Sequence, residues 1–332
     1  MRERTRVPSE APSPGGPGLV ALVTACLLAA CGGGDPVAGI EGSGIPVATA
    51  ITSVGTITGF GSVIVDGIEY VTSDAQIRID DQPAVESQLH LGDVVTVTGT
   101  VNADERTGTA TEVTFGSDAR GAIAHVDAAA GTFVVLGQTI RVTEATLFDA
   151  ALPSPDVAGL PLGIGVQVSG FTDASGGLIA SRIEPAAVNS SLQARGTLQS
   201  LDTDTHTFRI NELVVDYGSA SLTGTLTVGT SVTARGATLT AGGELVATDV
   251  VAAPVVVGMA NGRGQFEGVI TTFISDSDFT VGGQRVLTDA DTQFVLHSLV
   301  LGPDVEVKVR GTFEASGVLL ASKVEVKQRQ GG

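Results

Sequence analysis

The 332-residue sequence has no tryptophan, two cysteines, two methionines and only 4% aromatic residues. Lysine is nearly as scarce: Lys308, Lys323 and Lys327 are the only three, all near the C-terminus. With 36 acidic against 18 basic side chains the formal net charge is −18. Phosphodiester backbones are gripped by basic grooves, so a nucleic-acid partner is not expected. Charged residues make up 16% and hydrophobic ones 42%, which excludes a polar disordered chain. The 44 glycines follow no every-third-residue pattern, which excludes a collagen-like one. No apolar run is long enough to span a bilayer of ~30 Å hydrocarbon.

The mostly apolar stretch Leu19–Ala30 follows Arg2, Arg4 and Arg6 and a Pro/Gly-rich segment, the layout of a secretory leader. It ends in Leu28-Ala29-Ala30-Cys31, which resembles the lipobox of bacterial lipoproteins. That resemblance implies cleavage before Cys31, diacylation of its thiol, and attachment to a membrane through the N-terminal lipid. Gly32 stands where some bacteria use an aspartate to hold lipoproteins at the inner membrane, so the outer membrane is the expected location. An ordinary secretory leader is the alternative. The other cysteine, Cys26, lies inside the leader. A chain starting at Cys31 would therefore hold no disulfide framework, thiolate metal site or cysteine nucleophile. Residues 31–54, rich in Gly, Pro and Ala at their start, read as a flexible tether.

The main signal is a fourfold internal repeat. Leu91-Gly92 leads to Val95, Val97 and Gly99; Leu162-Gly163 to Val166, Val168 and Gly170; Val228-Gly229 to Val232, Ala234 and Gly236; Leu301-Gly302 to Val305, Val307, Val309 and Gly311. Each ending precedes an alanine with a β-branched residue three positions on: Ala110 with Val113, Ala180 with Ile183, Ala247 with Val250, Ala321 with Val324. The copies open on Gly55, Gly121, Gly196 and Gly268 and continue into hairpins with turns at Asp66-Gly67, Leu136-Gly137, Asn211-Glu212 and Gly282-Gly283. Asp-Gly and Gly-Gly suit a type I′ turn, whereas Leu-Gly and Asn-Glu suit it less well and point to another turn. Period-2 alternation and about five strands per copy predict an all-β chain. Its units are four tandem five-stranded Greek-key barrels of the oligonucleotide/oligosaccharide-binding (OB) type, after the leader (residues 1–30) and tether. The expected repeats are 55–120, 121–193, 194–263 and 264–332. A single module of this size is marginal on its own, so neighbouring copies are expected to pack together.

The run Gly59-Phe60-Gly61-Ser62-Val63-Ile64-Val65-Asp66-Gly67, with the four repeat endings, resembles the bacterial family catalogued as domain of unknown function 5666, found as tandem copies in envelope lipoproteins. The similarity covers roughly Gly55 to Lys327, and the Gly-Phe-Gly-Ser motif occurs only in the first copy. The resemblance implies fold and location and brings no established reaction or cofactor.

Chemistry-bearing residues are few. His90, His125, His206 and His297 fall at four different places in the repeat without metal-ligand spacing. The carboxylate pairs Asp80-Asp81, Asp202 with Asp204, Asp276 with Asp278, and Asp289 with Asp291 coincide with expected turns, where Asp bonds its own backbone. No catalytic, cofactor or metal site is therefore assigned. Charge is uneven: residues 55–120 hold eleven acids and three arginines, whereas residues 268–332 hold eight acids and six bases. Solubility of an exported protein accounts for such acidity. The sharper reading is that the first copy recruits a cation, a glycan or a basic envelope protein. A binding face is placed on that copy at Phe60, Ser62, Tyr70, Asp80 and Asp81, with Phe60 and Tyr70 as core residues the alternative. The leading expectation is a non-enzymatic, lipid-anchored envelope protein whose barrels form an elongated binding or scaffolding rod. A carboxylate-dependent hydrolase of envelope glycan, centred on Asp80 and Asp81, and a purely structural spacer are the alternatives.

Overall fold

The computed structural model describes residues 48–187, 190–252, 258 and 260–327. The leader, Cys31, the tether up to residue 47 and the run Val255–Val257 lie outside them. The described residues belong to one compact unit, Ile45–Gly332.

The first copy consists of β1 (Thr49–Gly59), β2 (Val63–Val65), β3 (Ile68–Val71), β4 (Gln76–Ile79), β5 (Gln82–Ala84), β6 (Val94–Val101) and β7 (Thr107–Phe115). Strand β1 pairs antiparallel with β2, β2 with β3, β3 runs parallel to β7, β7 pairs with β6, and β6 returns to β1. This circuit is a closed five-stranded barrel in the OB order, with the small β4–β5 hairpin added parallel to β7.

The other copies repeat the circuit. The second uses β8 (Ala119–Asp127), β9 (Thr132–Val135), β10 (Gln138–Arg141), β12 (Gly165–Thr172) and β13 (Leu178–Pro185), with β11 (Leu147–Phe148) as the added strand. The third uses β14 (Leu192–Asp202), β15 (Thr207–Ile210), β16 (Leu213–Asp216), β18 (Ser231–Leu239) and β19 (Leu245–Ala252), with β17 (Ser221–Thr223) added. The fourth uses β20 (Arg263–Ser275), β21 (Asp278–Val281), β22 (Gln284–Leu287), β24 (Glu306–Phe313) and β25 (Leu319–Val326), with β23 (Gln293–Val295) added.

The repeated glycine and alanine meet in every barrel. Gly99 pairs with Ala110, Gly170 with Ala180, Gly236 with Ala247 and Gly311 with Ala321, each beside a shift in register. A Cβ on any of these glycines would collide with a backbone carbonyl oxygen of the facing strand: Thr109, Ile179, Val246 or Leu320. Glycine is required there because the bulged backbones approach more closely than a side chain permits. Around this bend the cores are filled from equivalent positions: Ile57, Ile123, Leu198 and Ile270 on the first strands, Val63, Phe133, Phe208 and Phe279 on the hairpins, all buried.

Three hairpins share the mirror-image turn. Asp66 and Gly67 have φ of 59° and 80°, Leu136 and Gly137 of 48° and 68°, Gly282 and Gly283 of 54° and 91°. The Leu-Gly hairpin thus departs from the sequence expectation. Leu136 is buried against the open face of Gly121, and burying a leucine by about 2 kcal/mol offsets the ~1–2 kcal/mol of a left-handed non-glycine residue. The Asn211-Glu212 hairpin does use a different turn, with only Asn211 left-handed.

All four expected starts move: residues 49–54, read as tether, are the first half of β1; Ala119 and Arg120, read as the end of the first copy, lie on β8 of the second; Leu192 and Gln193 lie on β14 of the third; and Arg263 lies on β20 of the fourth. In the fourth copy the residue equivalent to Gly92, Gly163 and Gly229 is Asp304 rather than Gly302. The Asp304 N–H donates to Ile270 O as those glycines donate to Ile57, Ile123 and Leu198, and its φ of 65° matches their left-handed values. The spacing from this turn residue to the bulge glycine is seven residues in all four copies, so the fourth keeps the spacing and only its motif glycine, Gly302, stands two positions ahead of the turn.

The barrels do not line up as a rod. The first half of β1, paired with β6 of its own barrel on one edge, pairs parallel with β20 on the other, Ile51 opposite Arg263 through Val54 opposite Phe266, joining the first copy to the last. The second and third copies join through β8 and β14. Substituting Gly170 by alanine is expected to destabilise the chain by about 3 kcal/mol, read as a lower midpoint in chemical denaturation, since backbone must shift to admit the methyl group.

Candidate functional site

Where the four barrels meet they enclose a cavity of about 360 Å³. Its walls include Asp80, Asp81 and Ser117 from the end of the first copy, Asp118 and Phe171, Gln193, Arg195 and Arg235 from the third, and Phe266 and Glu267 from the fourth. Asp80 and Asp81 occupy the tight turn between β4 and β5, both left-handed with φ of 48° and 65°, a conformation aspartate tolerates better than most residues. That turn aims both carboxylates away from their own barrel. Asp80 is ion-paired with Arg120 of the second barrel and accepts hydrogen bonds from Gln193 Nε2 and the Ser117 N–H, each at 3.2 Å. Asp81 lies 2.8 Å from the guanidinium of Arg235 in the third barrel, which also holds Asp249 at 3.1 Å.

The pattern extends around the first copy. Asp66 meets Lys308 of the fourth barrel at 3.1 Å, and Glu105 meets Arg263 at 2.5 Å. Asp93 faces Arg182 of the second barrel at 3.9 Å, beside His90, whose Nδ1 is 3.1 Å from Glu184 Oε2. At these positions carboxylates of the first copy face lysine and arginine side chains of the other three. Lys327, by contrast, pairs within the fourth barrel, with Glu267 and Glu306.

Burial makes three of these seam carboxylates hard to ionise. Asp93, with no exposed surface, is pushed up to about 7 by desolvation and the neighbouring Glu184, against the His90 N–H and Arg182. Desolvation likewise pushes Asp118 up to about 6, against Arg195 and the Gly170 N–H, and Asp66 to about 6, against Lys308 and reinforced by Glu267. Asp66 Oδ2 and Asp93 Oδ1 are buried without a hydrogen-bond donor.

The residues assigned to a binding face are not brought together. Tyr70 is fully buried at a core position shared with Ile140, Val215 and Val286, its hydroxyl 2.6 Å from Ser53 Oγ. It belongs to the barrel interior, which corrects its assignment to a face. Phe60 is 42% exposed at the β1–β2 turn, and Ser62 beside it donates to Glu69. Asp80 and Asp81 lie on the cavity wall, not beside Phe60. Two of the other acidic pairs behave as the sequence reading had them, Asp202 accepting from the N–H groups of Asp204 and Thr205 and Asp289 from that of Asp291, whereas Asp278 opens β21 and its carboxylate accepts from Arg285. Among the described residues no three His, Cys, Asp or Glu side chains converge to hold a metal ion, and no helix is long and apolar enough to cross a membrane. Gln193 and Arg235, which line the cavity, and Arg120, which holds Asp80, carried no signal in the sequence beyond lying at strand positions; their role depends on which barrels become neighbours.

Two outcomes follow for stability. Arg120 and Asp80 are both largely buried, so Arg120→Gln leaves an unpaired carboxylate and should cost about 3 kcal/mol in denaturant titration, with part recovered by adding Asp80→Asn. Asp93 keeps its proton in the folded state at pH values where the unfolded chain, titrating near 3.8, has lost it. Its contribution therefore falls as pH rises from about 4 through 7, and Asp93→Asn should flatten the pH dependence of the unfolding free energy by a few kcal/mol across that window.

Among solved structures, "drosophila Unr CSD456" aligns at 10% sequence identity and a TM-score of 0.20, over 63% of this chain and 98% of that chain. An alignment this loose adds nothing to the strand pairing above. No curated protein matches the sequence. The family model described as Domain of unknown function (DUF5666) matches residues 50–114, 120–184 and 267–325, more than half of the chain. These segments coincide with the first, second and fourth barrels, and the third, outside them, closes in the same strand order. The chain belongs to the DUF5666 family, as a tandem array of its β-barrel domains.

Proposed function

We propose that this chain is a non-enzymatic, lipid-anchored protein of the bacterial cell envelope, at the outer membrane, whose four barrels act as one preassembled binding scaffold. The observation that carries the reading is the fate of the first copy's carboxylates: Asp80 and Asp81, the pair a hydrolase would need, are both engaged by guanidinium groups of other barrels. A carboxylate held by a guanidinium between barrels serves assembly, which favours a scaffold over the freely placed carboxyl pair that glycoside hydrolysis uses. The mixed walls of the central cavity, with Phe171 and Phe266 beside Gln193, Arg195 and Asp118, suit a small polar ligand with an apolar face. Attachment through Cys31 places that scaffold at a membrane surface, since two or more acyl chains anchor stably.

The test is expression of the full chain and of Cys31→Ser in a bacterial host. The parent should sediment with membranes and yield a diacylated N-terminal peptide by mass spectrometry, and the variant should remain in the soluble fraction. Equal partition of the two would overturn the anchor. Release of reducing sugar from purified envelope glycan by the parent, lost in the Asp80→Asn/Asp81→Asn variant, would overturn the non-enzymatic reading.

A further inference from the structure

The loop that enters the Asp304 turn in the fourth copy differs in character from its counterparts. In the first two copies the leucine entering this turn, Leu89 or Leu160, is buried, and in the fourth Leu301 takes that place. Just ahead of it Leu299 and Val300 are 47% and 78% exposed, and the backbone before them is left-handed at His297 and Ser298, with φ of 48° and 69°. Non-glycine residues held there store strain that the surrounding structure must maintain.

This loop borders an open cavity of about 770 Å³ between the second and fourth barrels, lined by Arg141, Asp173, His297, Leu299, Pro303 and Val305, with Val326 and Lys327 closing its end. The charged residues around it are mostly engaged. Asp173 Oδ1 accepts from the N–H groups of Ser175 and Gly177, Asp304 Oδ1 accepts from the Ala174 N–H at 2.8 Å, and Lys327 is held by Glu267 and Glu306. Arg141 is different. It is half-buried at the end of β10, and among the described residues its guanidinium has no ion-pair or side-chain hydrogen-bond partner. Arg120, Arg182 and Arg235 are all paired.

We propose that this cavity binds a monoanionic carboxylate amphiphile, its head on Arg141 and its acyl chain along Leu299, Pro303, Val305 and Val326. A planar guanidinium matches a carboxylate through two parallel hydrogen bonds, which fits one free arginine to one singly charged head. The carboxylates of Asp173 and Asp304 on the same walls disfavour a doubly charged phosphate. The volume is in the range of small-molecule sites, and the exposed apolar loop supplies the surface an acyl chain would cover.

The test is isothermal titration of the full chain carrying Cys31→Ser with octanoate below its micellar concentration, with octanol and inorganic phosphate as separate probes. Octanoate should bind saturably at one per chain, while octanol and phosphate bind at least about tenfold more weakly, a gap of ~1.4 kcal/mol. Arg141→Gln should weaken octanoate about tenfold or more. Leu299→Ser, at an exposed position that does not threaten folding, should weaken it several-fold. Non-saturable octanoate binding, octanol binding as tight as octanoate, phosphate binding as tight as octanoate, or affinity unchanged in both variants would each overturn the proposal.

Discussion

The contact on which the rest of the molecule depends is the close approach of two backbones inside each barrel, a glycine on the strand β6, β12, β18 or β24 against an alanine on the next. The bulge there bends the strand so that it can return to the first strand and close the circuit. Two of the four bends also flank the seam between the first and last copies. Gly99 pairs with Ile51 of β1, and Gly311 pairs with Gly264 of β20, whose other neighbour is Thr52 of β1. Strands β6, β1, β20 and β24 therefore run as one continuous sheet across two barrels. The residues that let each domain close also let β1 lie flat against its distant partner.

Closure of a barrel makes it a domain; charge decides which barrels become neighbours. The first copy directs Asp66, Asp80, Asp81, Asp93 and Glu105 at lysine or arginine side chains from the other three. Such pairs contribute selectivity more than net stability, because desolvation offsets much of the attraction. Their burial has a second effect, visible in the raised protonation of Asp66, Asp93 and Asp118. The assembly holds these carboxyls more readily protonated than not as pH falls, so mild acidity favours the closed arrangement.

The fourth copy shows how a repeat acquires a difference without losing its fold. The barrel circuit stays intact because the turn accepts Asp304 in the left-handed conformation that glycine supplies elsewhere. Aspartate brings what glycine cannot, a carboxylate that reaches the Ala174 N–H of the second barrel. Asp304 thus makes a cross-barrel contact beside an exposed apolar loop.

The sequence alone determined the repeat, the five-stranded plan and the positions of the glycines and alanines that close each barrel, because those requirements are local and recur four times at fixed spacing. It also marked Asp202 and Asp289 as turn residues, since an Asx turn needs only the next few residues. It misjudged Leu136 and Gly302, where burial against Gly121 and a two-residue shift outweighed turn chemistry and motif spacing. Alternation alone left Tyr70 open between a surface face and the core; the equivalence with Ile140, Val215 and Val286 in the folded repeats settles it. Which barrels touch, and so why the first copy is acidic, lay beyond the sequence. The β1–β20 pairing spans more than 200 residues, and an ion pair such as Asp66–Lys308 has no local signature until tertiary structure brings its two ends together.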